Sequence, residues 1–159
     1  MEVVGRVSSG RRNATADIGR HLDQLKAETG HDLIAGTLNL CLTRPVRLDP
    51  SSAIRFDKAR MLWPARVADV DVWAYRWQGC KLHVLELVAD RMLRSHLAVN
   101  DGDRVVVTVT PGLVTRLPAL ESAAWVVLWA GRESWYYSGE KYQARVRRWE
   151  KRLGLLQRA

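Results

Sequence analysis

Thr37 and Asn39 stand two residues apart in Gly36-Thr37-Leu38-Asn39-Leu40-Cys41-Leu42. Side chains alternate between the faces of a strand, so Leu38, Leu40 and Leu42 share one face and Thr37, Asn39 and Cys41 the other. That sets a hydroxyl beside a carboxamide. Downstream, Glu86 is a lone carboxylate in the apolar run Val84-Leu85-Glu86-Leu87-Val88, and Arg94 is a cation shortly after it. Each has a plainer reading: a solvated strand face for Thr37 and Asn39, ordinary alternation for Glu86, a surface cation for Arg94. Ser8-Ser9-Gly10 is a turn, followed by Arg11 and Arg12, whose guanidinium groups pair well with phosphate. His21, His31, His83 and His96 show no ligand spacing. Cys41 and Cys80 are far from a CxxC pair, which leaves buried thiols rather than a zinc site or a disulfide framework. Trp63, Trp73 and Trp77 suit a flat ring or a sugar face, or the packing of a sheet wall.

The elements that position these groups read as a small, mostly β unit. Glu2 to Val7 is a strand stopped by Ser8-Ser9-Gly10, and a loop follows it. Ile18, Leu22 and Leu25 at spacings of four and three predict one amphipathic helix over Asp17 to Glu28, closed by Gly30 in a left-handed cap. Arg44 to Phe56, with Pro45 and Pro50, reads as a connecting loop with at most one short strand. Arg60 to Val67 and Val70 to Trp77 form a hairpin about Ala68-Asp69, and Leu82 to Val88 is the next strand. Asp90 to His96 is a short helix. Asn100-Asp101-Gly102-Asp103 turns the chain into Arg104 to Thr110, where Val105, Val107 and Val109 alternate with polar neighbours. Ala123 to Trp135 is either a buried helix or a strand. From Gly139, Tyr142, Val146, Trp149, Leu153 and Leu156 recur at helical spacing beside a basic stripe of Lys141, Arg145, Arg148 and Arg152.

The chain has 159 residues, 47% hydrophobic and 26% charged, which suits one soluble domain with a core and excludes disorder and collagen. The longest uncharged apolar run, Ala123 to Ala130, falls short of the roughly 20 residues a membrane-spanning helix needs. The charged start lacks the apolar stretch of a signal peptide, so the expectation is cytoplasmic. The net charge is +8, and residues 140–159 carry seven basic and two acidic side chains, so +5 of it lies there. The excess is a property of the tail. The body is near neutral, which makes nucleic acid an unlikely partner for it. The tail helix reads as a lid on the body, a homodimer contact, or a basic surface for an acidic partner.

Gly5-Arg6-Val7-Ser8-Ser9-Gly10, Gly36-Thr37-Leu38-Asn39-Leu40, Glu86-Leu87-Val88-Ala89 with Leu93-Arg94, and Asp101-Gly102-Asp103 occur in this order. Together they resemble the archaeal CTP-dependent riboflavin kinase family, over about Val3 to Val109. The resemblance implies a cradle-loop, six-stranded β-barrel over residues 1–110, with residues 111–159 as a C-terminal helical extension. It also implies a kinase that moves the γ-phosphate of CTP to a hydroxyl acceptor with Mg²⁺. Carried over by position, Thr37 and Asn39 would ligate Mg²⁺. Ser9 and Gly10 with Arg11, Arg12 and Asn13, and the stretch Arg91-Met92-Leu93-Arg94, would hold the nucleotide. Glu86, with Trp77 and Gln78, would meet the acceptor, Glu86 and Arg94 being the catalytic pair. The family repeats glycines where this chain has Arg11-Arg12-Asn13-Ala14-Thr15, so guanidinium pairing would replace amide contacts. The acceptor side is also altered near Arg76-Trp77-Gln78, which leaves riboflavin, or another small acceptor such as a carbohydrate, as the substrate. The rival reading is a non-catalytic β-barrel binding module whose basic helix engages nucleic acid or another acidic partner.

Overall fold

Alternating apolar side chains wind the chain into a barrel, seen in a computed structural model that describes residues 1–10, 13–152 and 154. The strands are β1 (Glu2–Ser8), β2 (Leu38–Leu42), β3 (Arg47–Leu48), β4 (Ile54–Arg55), β5 (Arg60–Val67), β6 (Val70–Trp77), β7 (Val84–Val88), β8 (Arg104–Val109) and β9 (Val114–Thr115). Six of them pair antiparallel in the order β5-β6-β7-β2-β1-β8. β8 returns to β5 through Ala65 opposite Val109 and Arg66 opposite Thr108, which closes the barrel. Closure removes the free strand edges an open sheet would present. β4 lengthens the wall beside β5, and β3 pairs with β9 apart from the barrel.

Leu38, Leu40 and Leu42 of β2 fill the interior with Val3, Val7, Trp63, Val72, Leu85, Leu87, Val105 and Val107. The outer wall is not left to solvent. Helices α1 (Asn13–Gly19) and α2 (Leu22–Thr29) lie over it. Ile18 and Leu25, both 0% exposed, pack with Leu33, Phe56, Leu62, Tyr75 and Val88. Each such burial contributes about 1.5–3 kcal/mol.

Two helices stand where the spacing predicts one, and helix begins at Asn13, inside the stretch read as loop. Ala14 and Ile18 have an apolar wall to cover, which favours helix there. The break falls at Arg20-His21, where His21 Nδ1 contacts the Asp17 carbonyl at 2.9 Å and the His21 N–H donates to Ile18 O. Gly30 caps α2 at φ 73, its N–H donating to Lys26 O. The Arg44 to Phe56 segment holds two short strands, β3 and β4, rather than one at most.

Beyond α3 (Leu93–His96), the last third is helical: α4 (Ala119–Trp129), α5 (Trp135–Ser138) and α6 (Glu140–Arg152). The ambiguous Ala123 to Trp135 run is thus mostly helix. Trp125, Trp129 and Val146 form a small core of their own with Leu128, Tyr136 and Tyr142. They dock on the barrel at His83, whose ring centroid is 4.5 Å from that of Trp129. Lys81 pairs with Glu150 at the rim of this contact. Of the apolar stripe expected on the last helix, Val146 is buried and Trp149 is 48% exposed. Leu153 and Leu156 lie outside the described residues, as do Arg11 and Arg12. Among the described residues no helix is long and apolar enough to cross a membrane.

Candidate functional site

One row of cross-strand neighbours on the outer wall defines the site: Ser8 opposite Asn39, Asn39 opposite Glu86, and Glu86 opposite Tyr75. Register alone makes Asn39 and Glu86 adjacent, although they are distant in sequence. Over this row opens a cleft of about 980 Å³, at the upper end of the usual size for a small-molecule site. Thr37, Asn39, Glu86, Arg60, Trp77 and Tyr137 are among its lining residues.

At its centre the Asn39 carboxamide nitrogen donates to both Glu86 oxygens, at 3.1 and 3.2 Å, while its oxygen accepts from Gly10 N–H at 3.3 Å. Thr37 Oγ1 and the Tyr137 hydroxyl lie 3.4 and 3.5 Å from the carboxamide atom that faces Glu86. Tyr137 also donates to Glu86 Oε1 at 3.4 Å. Burial pushes the Glu86 carboxyl above its ordinary range; Thr37 and Tyr137 oppose this, and the charge of Asp17 reinforces it. Burial, then the charge of Glu86, holds the Tyr137 hydroxyl well above its usual value, so it stays a donor. Gly10 approaches Asn39 closely: a Cβ there would stand 2.2 Å from the end of the Asn39 carboxamide, which would have to leave its bonds to Glu86 and Gly10.

Two ion-pair groups flank the centre. On one side Arg94 Nη1 reaches Asp101 at 2.8 Å, and Ser9 Oγ donates to the same carboxylate. The Asn100 to Asp103 turn thereby fixes a cation beside the Ser9-Gly10 turn. On the other side Arg60 pairs with Asp17 at 2.6 Å and with Asp57. Tyr75, Trp77 and Tyr136 make an aromatic wall, with Trp77 and Tyr136 at a centroid distance of 6.4 Å.

Ser9, Gly10, Thr37, Asn39, Trp77, Glu86, Met92 and Arg94 thus share one cleft. Other expected residues lie elsewhere. Leu93 is buried in the barrel core, because it is the apolar anchor of the one-turn helix α3. Arg91 is an exposed partner of Asp90. Gln78 is exposed beyond the end of β6, its N–H donating to Ala59 O. Asn13 begins α1, its side chain lying outside what the structure describes. Trp63 points into the barrel with Nε1 donating to Asp49 O at 2.7 Å, and Trp73 meets His31, so of the three strand tryptophans Trp77 alone lines the cleft.

No motif in the sequence marks Arg60, Asp17, Tyr136 or Tyr137 as site residues. The paired tyrosines carried one signal: an aromatic run just before Gly139, in a segment for which the barrel resemblance offers no role.

Thr37 Oγ1, the Glu86 carboxylate and the Asn39 carboxamide are hard oxygen donors of the kind Mg²⁺ takes, with phosphates and waters completing its shell. The Asn39 oxygen faces Gly10, so ligation by Asn39 requires the amide to turn over, exchanging its Gly10 and Glu86 bonds for the metal. The set fits a cation that arrives with a nucleotide better than one held without it. Compared with known proteins, the chain matches no family model and no curated protein.

Proposed function

We propose that the chain is a nucleotide-dependent phosphotransferase, moving the γ-phosphate of CTP or another nucleoside triphosphate to a hydroxyl of a small acceptor. The observation that carries this reading is the convergence of Ser9, Gly10, Thr37, Asn39, Glu86 and Arg94 from separate segments on one cleft. Phosphoryl transfer asks for positioning and charge neutralisation more than covalent help, and those groups supply both. The triphosphate lies along the Ser9-Gly10 turn within reach of Arg94, and the acceptor lies against Trp77 and Tyr136. Glu86 takes the proton of the acceptor hydroxyl as its oxygen bonds to the γ-phosphorus. The bond from that phosphorus to the β-phosphate oxygen breaks, and nucleoside diphosphate leaves. A carboxylate lifted by burial is a better base near neutral pH than an exposed one. Mg²⁺, held by Thr37 and Asn39, would neutralise phosphate charge. The acceptor is riboflavin by resemblance, or a carbohydrate whose face stacks on the aromatic wall.

Thermal melts with CTP, ATP, GTP and UTP, each with and without Mg²⁺, test the reading, followed by nucleoside diphosphate release with riboflavin and a sugar panel. Ligand at about a hundredfold excess over its Kd stabilises by about 2.7 kcal/mol, so a rise of roughly 5 °C or more is expected for the matching nucleotide with Mg²⁺. Thr37→Ala and Asn39→Ala should each remove the Mg²⁺-dependent part without unfolding the barrel; Asn39→Ala should also lower the melt of the unliganded protein, because it leaves Glu86 short of a partner. No shift with any nucleotide would overturn the proposal in favour of the binding module.

A further inference from the structure

Lys141, Arg145, Arg147, Arg148, Lys151 and Arg152 are all exposed on α6. Glu150, an acidic residue of the same helix, is taken by Lys81 of the barrel and not by any of them. A merely solvated basic face has no use for large apolar groups. Yet Trp149, 48% exposed, stands four residues after Arg145 and three before Arg152, with the Arg152 guanidinium carbon 5.9 Å from its ring centroid. Trp135, 46% exposed, meets Tyr142 edge-on at a centroid distance of 5.1 Å. Tyr142 lies two turns before Trp149 on the same side of α6, so the two tryptophans follow one edge of the basic helix. α4, packed on α6 through Trp125, Trp129 and Val146, exposes Leu120, Val126 and Val127 at 63%, 58% and 72%.

We propose that these C-terminal helices are a docking surface for an anionic lipid bilayer. The cations meet headgroup phosphates, and the indole rings enter the interfacial layer, where a ring can bury its body and keep its N–H wet. Nucleic acid would use the same cations and would stack on tryptophan, but it offers no apolar medium to Leu120, Val126 and Val127. These aliphatic side chains decide for lipid. The attachment lies on the surface rather than across the bilayer. Its position matters for the cleft: α5 places Trp135 on the docking edge and the next two residues, Tyr136 and Tyr137, in the cleft lining. Docking through Trp135 would therefore act next to two residues of the cleft lining. The proposal does not depend on the phosphotransferase reading, and its test uses no nucleotide.

The full chain would be sedimented with phosphatidylcholine vesicles, with vesicles holding about 30% phosphatidylglycerol, and against duplex DNA at matched phosphate, in about 0.1 M salt. Binding to the anionic vesicles, weak binding to the neutral ones, and quenching of tryptophan fluorescence by brominated acyl chains are expected. Replacing Arg145, Arg148 and Arg152 together by glutamine should weaken binding roughly a hundredfold, at about fivefold per cation. Trp135→Phe with Trp149→Phe should remove most of the quenching, with unchanged thermal melts showing that both variants are folded. Four results would overturn the proposal: no binding to anionic vesicles, binding indifferent to the three arginines, binding without quenching, or preference for the DNA.

Discussion

Glu86 is held as an acid or as a base by its surroundings, not by its strand. Its carboxylate receives the Asn39 amide and the Tyr137 hydroxyl, yet it is only 6% exposed, and burial is the larger influence. A carboxyl whose folded pKa lies above its unfolded value binds more protons folded than unfolded across that interval, so stability falls as pH rises through it. Below the ordinary value of 4.5 both states are protonated and nothing is lost. Glu86→Gln should therefore leave the melt unchanged at low pH and raise it at neutral pH, the gain growing from about pH 4.5 upward to the raised pKa. Urea unfolding of both proteins from pH 4 to 8 checks this; a variant less stable at neutral pH would mean that the bonds to the carboxylate outweigh its burial. The same substitution should reduce phosphoryl transfer by about 10²–10⁴-fold if Glu86 takes the acceptor proton.

Arg76 ties strand β6 to the chain on both sides of the β5–β6 hairpin. Its guanidinium is 5% exposed and donates to Val84 O at 2.8 Å, Val46 O at 2.7 Å and Leu82 O at 3.0 Å. Three carbonyls from two segments thus depend on one side chain. Burial lowers its pKa, but the loss of three bonds outweighs relief of that buried charge, so Arg76→Met should cost about 3 kcal/mol, measured by the urea midpoint. Retained stability would mean that β7 and the β2–β3 connection hold without it. The resemblance puts Arg76 beside the altered acceptor region at Arg76-Trp77-Gln78, and only its three carbonyl partners show it to be structural. Elements with local periodicity were legible: Arg60 to Val67, Val70 to Trp77 and the Val105, Val107, Val109 alternation stand where the pattern puts them. Thr37 and Asn39 were legible as neighbours on a face. That Tyr137 reaches this face was not, since it comes from far along the chain. The break at Arg20-His21 was invisible for a like reason: the apolar spacing runs through it, and only the bonds of His21 interrupt the helix.

At the scale of the molecule, a closed barrel and a three-helix extension meet at His83. The imidazole is 0% exposed among Trp125, Trp129 and Tyr136, and neither ring nitrogen is well partnered by a side chain. Burial, with the charges of Arg76 and Lys81 adding to it and a backbone group of Glu133 opposing, holds its pKa down to about 3. The folded state keeps His83 neutral while the unfolded or undocked chain protonates near the ordinary 6.5. The contribution of His83 to stability is thus full above pH 6.5 and declines as pH falls toward 3, by up to roughly 4 kcal/mol. The loss falls where the helices dock, so acid should first loosen α4 and α6 and withdraw Tyr136 and Tyr137 from the cleft, before the barrel itself opens. His83→Phe removes the titrating ring and two poorly satisfied nitrogens while keeping an aromatic face for Trp129. The variant should match or exceed the parent at neutral pH and lose most of the slope between pH 6.5 and 4. Amide hydrogen exchange over that range separates the parts: protection in α4 and α6 should fall before protection in β2 and β7 in the parent, and the two should fall together in the variant. If the parent lost protection everywhere at once, barrel and helices would be one cooperative unit, and His83 would report on global unfolding rather than on the docking of the extension.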